Sequence, residues 1–337
     1  MAVSPEAVTW AYRFFLGREP ESQEVIAAHL SAQDATHLAR LLISSGEFTS
    51  RKRHLALRLP TERPELARLE VESEATPAEI AACLEKIEAA WSHLGAVRPH
   101  FSVLSQEKFR PDRLPEGLDD FWDSGQREAG QVLATLARHE FAISGKTCVE
   151  YGCGVGRVTV GLAARFARVD AYDISTTHLE LARQRARDSG VSNVRFHECP
   201  TTAMADLEAC DVFYSRIVFQ HNPPPVIAEL IRRALTALRP GGIAIFQVPS
   251  HLPGYSFKLR QWLQTDHALD MQMHCLPQQR TFALINESRC TVLEVREDSA
   301  TAARADSISN TFVVQKQHPS LPRGLQASVR TASGASG

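Results

Sequence analysis

Residues 146–175 read KTCVEYGCGVGRVTVGLAARFARVDAYDIS, and this stretch decides the fold. The apolar run Thr147 to Val149 predicts a short buried strand that ends at Glu150. A glycine-rich loop follows, and apolar residues recurring one turn apart then predict a helix. A second apolar run ends in Asp173. This order of strand, loop, helix and strand is typical of an α/β sheet that binds a nucleotide.

The glycine loop and the terminal acid each suit a bound nucleoside. Gly152, Gly154 and Gly156 lack a Cβ, so the backbone can turn tightly and a ligand can approach it closely. Asp173 stands at the tip of the second strand, where its carboxylate can accept hydrogen bonds from ribose hydroxyls. The loop therefore predicts a nucleoside site at the carboxyl ends of the strands.

Two positions argue against a dinucleotide. Arg157 stands where a dinucleotide loop would place its third glycine, and Glu150 would repel a pyrophosphate, which disfavours a nicotinamide-dependent oxidoreductase. The spacing Glu-x-Gly-x-Gly-x-Gly resembles the first motif of the class I S-adenosylmethionine-dependent methyltransferases. The resemblance implies S-adenosylmethionine as cofactor. It implies that the cofactor-binding residues are Glu150, Tyr151, Gly152, Gly154 and Gly156 at the methionine end, Asp173 at the ribose and Ile174 beside the adenine.

The remaining pattern agrees with that family. Apolar residues at helical spacing predict a long helix over Pro223 to Leu238, and the turn LRPGG at 238–242 leads into another strand. Further apolar runs follow to residue 316. The resemblance implies an α/β fold, a Rossmann-like seven-stranded methyltransferase sheet with helices on both faces, whose last strand inserts antiparallel. We place this methyltransferase domain at residues 131–317.

A small all-α domain is predicted ahead of the sheet, at residues 1–60. The phrases YRFFLGREP at 12–20 and LLISSGEF at 41–48 resemble a helical module often attached to bacterial enzymes that build or decorate cell-surface glycans. A packing module with no ligand is the alternative. Residues 61–130 are expected to form a helical linker and a lid, although the irregular part from residue 96 could simply pack over a sheet edge. Residues 318–337 are expected to form a disordered tail.

Composition limits the partners. With 44% hydrophobic and 23% charged residues and a formal net charge of −2, the chain gives no electrostatic case for nucleic acid or an anionic membrane. No apolar run reaches the roughly 18 residues that a membrane span needs, and the first residues lack the pattern of a secretory signal. Seven cysteines without a C-x-x-C pair indicate reduced thiols and a cytoplasmic protein, with no metal site.

Several polar residues after the later strands are candidates for chemistry on the acceptor. His221 lies near the carboxyl end of a central strand and titrates near neutral pH, so we expect it to act as general base. It could instead cap the next helix or lie on the surface. Arg216 and Gln220 could orient a polar substrate, although Gln220 could equally hold the loop. Tyr255 and His274 could line the acceptor pocket or simply pack.

The sequence thus favours a methyltransferase that O-methylates a small or glycan-type acceptor. The transfer reaction depends on the core motifs, and the glycan acceptor depends only on the N-terminal resemblance. The alternative is a non-catalytic scaffold protein that binds S-adenosylmethionine or a nucleotide.

Overall fold

The computed structural model describes residues 3–48, 68–265, 271–298, 300 and 307–318. Two compact units divide the chain, with Ala67 the last residue of the first and Arg68 the first residue of the second. Residues 319–337 of the proposed tail lie outside the described residues, and so do residues 49–67, which include the start of the proposed linker.

The first unit is a small helical bundle, as predicted. Its elements are α1 (Pro5–Ala11), a π-helical turn (Tyr12–Leu16), α2 (Gln23–His29) and α3 (Ala35–Ile43). Their facing apolar stripes supply its buried core: Val8, Tyr12, Leu16, Leu38 and Leu42. Leu41, which is also on α3, is 44% exposed.

The second unit contains the sheet and the helices that cover it. Its strands are β1 (Glu70–Val71), β2 (Thr147–Tyr151), β3 (Arg168–Asp173), β4 (Val194–Glu198), β5 (Cys210–Ser215), β6 (Leu238–His251), β7 (Ser256–Phe257), β8 (Cys290–Asp298) and β9 (Ile308–Lys316). Its α-helices are α4 (Pro77–Val97), α5 (Pro99–Val103), α6 (Leu114–Arg138), α7 (Thr159–Ala163), α8 (Thr176–Asp188), α9 (Pro224–Ala237), α10 (Leu259–Gln264) and α11 (Gln278–Glu287). Two 3₁₀ turns complete it: Glu107–Phe109 and Phe219–His221.

The main sheet has seven strands in the order β4-β3-β2-β5-β6-β9-β8. β2 pairs in parallel with β3 and with β5, so their carboxyl ends meet at one edge. β9 runs antiparallel to both of its neighbours, β6 and β8. The predicted fold class and the antiparallel insertion of the last strand are therefore confirmed.

Helices cover both faces of this sheet because alternate strand residues point to opposite sides. On one face α4, α9 and α11 pack over strand residues such as Val149 and Phe213. On the other face α6, α7 and α8 pack over residues such as Cys148 and Val212. The two layers leave the carboxyl ends of β2, β3 and β5 open toward α4 and α5.

Residues 96–130 differ from the sequence prediction of an irregular segment. Most of them belong to helices, and α6 begins at Leu114, within the part expected to be irregular. Two aromatic side chains of this segment, Phe109 and Phe121, are buried. Their rings pack edge to face with centroids 5.2 Å apart. The helical spacing of α6 was hidden because Gly117, Gly125 and Glu128 stand among the apolar residues of its buried face.

Candidate cofactor and acceptor site

A cavity lies at the carboxyl ends of β2, β3 and β5, where α4, α5 and α6 approach the sheet. About 880 Å³ of space, part of it open to solvent, lies between its walls. Seven of the residues predicted from the sequence lie in its wall: Glu150, Tyr151, Gly152, Gly154, Asp173, Ile174 and Arg216. The structure thus brings the ends of three separate strands to one site.

Glu150 is the most unusual group in this wall. Its side chain is buried, and Oε2 has no hydrogen-bond partner among the described residues. Burial raises the pKa of Glu150 to about 8 because the charged carboxylate loses its hydration. An unpartnered buried acid is costly unless a ligand supplies donors, so this position favours a ligand with a positively charged or donor-rich group.

Asp173 holds the glycine loop as well as facing the cavity. Its Oδ2 accepts a hydrogen bond from the Gly154 amide at 2.8 Å, and its Oδ1 accepts one from the Ser175 amide at 2.9 Å. Each carboxylate oxygen can accept a further bond. The acid can therefore still bind ligand hydroxyls while it fixes the loop.

Glycine is required at positions 152 and 154 because protein side chains, rather than a ligand, approach the backbone there. A Cβ on Gly152 would lie 2.2 Å from Val218, and one on Gly154 would lie 2.5 Å from Val103, so two valines already approach the backbone there. Both glycines also have positive φ, 77° and 54°. Gly156 does not line the cavity; it has a φ of 81° and packs against Ala182 of α8. Its predicted contact with the cofactor is replaced by a helix-packing role.

A buried ion cluster on the wall was missed by the sequence reasoning. Glu128 of α6 accepts hydrogen bonds from Arg157 at 2.7 Å, Arg216 at 2.8 Å and the Tyr214 hydroxyl at 2.5 Å. Burial alone would raise the pKa of Glu128, but the two guanidinium groups and the hydroxyl hold it below its ordinary value. Glu128 shares a helical face with buried Phe121, Gly125 and Val132, and an acid in such a stripe is the signal that could have found it.

His178 was missed for the same reason. It lies on α8 in line with the buried residues Ala182 and Ala186, is itself buried, and faces the cavity beside Asp173. A titratable residue on a buried helical stripe was again the available signal. Trp91 of α4 also lines the cavity, with its ring centroid 6.4 Å from that of His178.

His221 is not placed as a general base requires. It does not line the cavity, and both ring nitrogens are occupied, Nδ1 by the Gln272 carbonyl at 2.8 Å and Nε2 by the Gln220 amide at 3.2 Å. Burial lowers the pKa of His221. Gln220 is equally committed, because its Oε1 accepts from the Gln247 amide at 3.0 Å. These residues form a buried network that supports the loop after β5. Holding the loop was one of the two roles expected of Gln220, so only the placement of His221 departs from the sequence prediction.

Tyr255 and His274 also lie away from this cavity. The Tyr255 hydroxyl contacts Nδ1 of His274 at 2.8 Å, and the two rings pack edge to face. The His274 amide donates to the Gln220 carbonyl at 2.7 Å. The pair therefore packs the segment after β6 against the 3₁₀ turn, which is the packing alternative that the sequence left open for both residues.

Comparison with known proteins agrees with this fold. Residues 148–242 match the family described as "Methyltransferase domain". The ubiquinone biosynthesis O-methyltransferase of Acinetobacter baylyi is 28% identical over 123 residues, which cover 36% of this chain and 51% of that protein. The enzyme of the same name from Stutzerimonas stutzeri is 30% identical over 121 residues, with 35% and 51% coverage. The chain spans about half the length of the curated relatives it matches.

Two solved structures show weaker similarity. The N-methyltransferase NodS from Bradyrhizobium japonicum WM9, in complex with S-adenosyl-L-homocysteine, is 18% identical with a TM-score of 0.44, covering 65% of this chain and 100% of that one. The magnesium protoporphyrin IX methyltransferase of Synechocystis PCC 6803 is 15% identical with a TM-score of 0.45, covering 59% and 87%. The family match shows that residues 148–242 form a methyltransferase domain, and it supports S-adenosylmethionine as the cofactor.

The residues present fit that cofactor. Its methionine part carries an amino group and a carboxylate on neighbouring atoms. The cavity wall has two buried side-chain atoms without partners among the described residues, Oε2 of the acid Glu150 and Nε of the base Arg157. An acid and a base suit the amino group and the carboxylate of the cofactor, and Asp173 remains available for the ribose hydroxyls.

Two kinds of feature are absent from the described parts of the chain. Within the described parts of the chain, no helix is both long and apolar enough to cross a bilayer. The same residues contain no group of three or more His, Cys, Asp or Glu side chains that could hold a metal ion.

Proposed function

We propose that this protein is an enzyme that transfers a methyl group from S-adenosylmethionine to an oxygen atom of a small-molecule or glycan-type acceptor. The observation that carries the proposal is Oε2 of buried Glu150, which has no hydrogen-bond partner among the described residues and belongs to the wall of a cavity that also contains Asp173 and the glycine loop. The names of the relatives, which are O-methyltransferases, support oxygen as the methylated atom. The glycan alternative depends on the resemblance of residues 12–20 and 41–48 alone.

The cofactor, when bound, supplies a methyl group on a positively charged sulfur. In this proposal Glu150 and Arg157 hold its aminoacyl end, and Asp173 holds the ribose. Tyr151 and Ile174 supply apolar surface beside them, since both lie in the cavity wall. These contacts fix the donor relative to the sheet, and correct placement of two reactants can lower a barrier by roughly 7–11 kcal/mol.

The acceptor is proposed to bind on the β5 side of the cavity. Arg216 lies there and is oriented by its ion pair with Glu128, while 30% of its side chain stays exposed. It can donate hydrogen bonds to an acceptor oxygen without moving. The helical segment 77–109, which contributes Trp91 and Val103 to the wall, is proposed to act as the lid that excludes water.

Replacing Asp173 by alanine should weaken the binding of S-adenosylhomocysteine by tenfold or more. A hydrogen bond to a charged acceptor contributes roughly 1.5–3 kcal/mol, and the change also frees the Gly154 amide. Isothermal titration checks the affinity, and thermal unfolding of the same sample checks that the fold is intact. Asp188, an exposed acid at the end of α8, provides the control: D188N should bind like the wild type.

The reaction itself is tested with S-adenosylmethionine labelled in its methyl group. The active protein should pass the label to a compound in an extract of small metabolites and glycans, and mass spectrometry should find one added methyl group on an oxygen. The D173A variant should transfer little label. Tight cofactor binding with no labelled acceptor in any extract would instead favour a non-catalytic binding protein.

A further inference from the structure

His178 and Asp173 present two hydrogen-bond acceptors to the same part of the cavity. The Ser102 hydroxyl donates to the Pro99 carbonyl at 2.8 Å, so its oxygen accepts from Nε2 of His178 at 3.0 Å. The proton of the neutral ring is then on Nε2, and Nδ1 carries a lone pair. That Nδ1 lies 3.9 Å from Oδ1 of Asp173, too far for a hydrogen bond.

Two acceptors that face each other without a donor between them are complementary to a ligand with two donors. A single hydroxyl has one proton and can satisfy only one of them, whereas a vicinal diol can donate one proton to each. The ribose of a nucleoside carries such a diol. Among the described residues Nδ1 of His178 has no hydrogen-bond partner of its own, so the donor must come from a ligand or from solvent.

The same ring is also connected to the segment that covers the cavity. Ser102 belongs to α5, and the next residue, Val103, packs over Gly154. The Gly154 amide in turn donates to Asp173. A closed circuit of contacts therefore links the Pro99–Val103 segment to the proposed ribose position. It passes through Ser102, His178, Asp173, Gly154 and Val103. All five residues line the cavity.

We infer that His178 binds one ribose hydroxyl of the cofactor through Nδ1 and, through Nε2, couples that contact to closure of the Pro99–Val103 segment. This inference rests on the proposed binding of the ribose at Asp173. His178 is then a cofactor-binding residue, and Ser102 is a positioning residue that acts through it. Closure of the cover depends on the ligand having its diol.

Two substitutions separate the two nitrogens. His178→Gln places an amide near the position of Nε2, so it can still donate to Ser102 but lacks an acceptor at the Nδ1 position. His178→Asn places an amide oxygen near the position of Nδ1 but does not reach Ser102. His93→Gln, on the exposed side of α4, is the matched control. Thermal unfolding of each variant checks that the buried change is tolerated.

The first measurement is isothermal titration with S-adenosylhomocysteine and with its 2′-deoxy and 3′-deoxy analogues. In the wild type and in H93Q, loss of either hydroxyl should weaken binding by about 3- to 10-fold. H178Q should bind the parent compound about 3- to 10-fold more weakly and should no longer distinguish one of the two deoxy analogues from it. H178N should keep the discrimination. If H178Q discriminates as the wild type does, the inference is overturned.

The second measurement is hydrogen exchange of the amides in residues 99–109. Bound S-adenosylhomocysteine should slow this exchange at least about threefold in the wild type. Ser102→Ala and H178N should bind the ligand but show much less slowing, because the connection to the cover is cut. Equal slowing in all three proteins would disprove the coupling. Failure of the wild-type protein to bind the ligand at all would instead refute the proposed function.

Discussion

Replacing Glu128 by alanine should lower the free energy of unfolding by about 3–5 kcal/mol. Glu128 neutralises two guanidinium groups, and the side chain of Arg157 is only 6% exposed. Without the acid, Arg157 would remain buried and charged with no counter-ion. The Tyr214 hydroxyl would lose its acceptor as well. Chemical denaturation followed by circular dichroism measures the change.

Glu294 provides the matched control for this experiment. It also pairs with two arginines, Arg138 and Arg296, but their side chains are 48% and 46% exposed. Its Oε2 also lies 3.0 Å from Nε2 of His139. Surface ion pairs contribute roughly 0–1 kcal/mol, so E294A should change stability far less than E128A. Equal losses in the two variants would show that the buried cluster contributes no more than a surface network.

Replacing Glu150 by glutamine should remove a pH dependence of stability. In the unfolded chain this acid titrates near 4.5, whereas in the folded protein its pKa is about 8. The folded state therefore binds more protons between these values, and the wild type should lose stability as the pH rises from 4.5 to 8 and slightly beyond. At about 1.4 kcal/mol per unit, the full loss is on the order of 5 kcal/mol. E150Q should lack this fall and should be more stable than the wild type at pH 9.

Replacing Glu150 by glutamine should weaken the binding of the cofactor, although it should raise stability at high pH. A bound amino group would stabilise ionised Glu150. The positive charge of Arg157 also favours the ionised form, whereas the negative charges of Glu128 and Asp173 oppose it. Binding of S-adenosylhomocysteine to the wild type should thus strengthen between pH 6 and pH 8, with proton release measurable by titration in buffers of different ionisation enthalpy. E150Q should bind at least about tenfold more weakly at pH 8 and release no proton from this position.

The sequence alone was sufficient to place the acidic side chains that stand at the ends of strands. Glu150 and Asp173 each follow an apolar run directly, and parallel strands bring such residues to a common edge. The order of the strands and the antiparallel insertion of β9 came from resemblance to a family. Local spacing does not encode which non-consecutive strands pair.

The groups supplied by helices could not be placed in the same way. Glu128 lies 22 residues before Glu150 in the chain and reaches the cavity only because α6 packs along the sheet. His221 was favoured because it closely follows β5, but the chain turns through a 3₁₀ helix there and points the ring toward Gln272. The orientation of a side chain after a strand depends on contacts made by residues distant in sequence.

The position of β9 has a consequence for how the protein is made. β9 lies between β6 and β8 in the sheet. Neither β6 nor β8 can therefore pair with β9 until residue 316 has left the ribosome. At typical synthesis rates of about 5–20 residues per second, β6 would wait several seconds with one edge unpaired. During that interval the nascent chain presents an aggregation-prone edge, and we expect it to be the stage at which a chaperone is most needed.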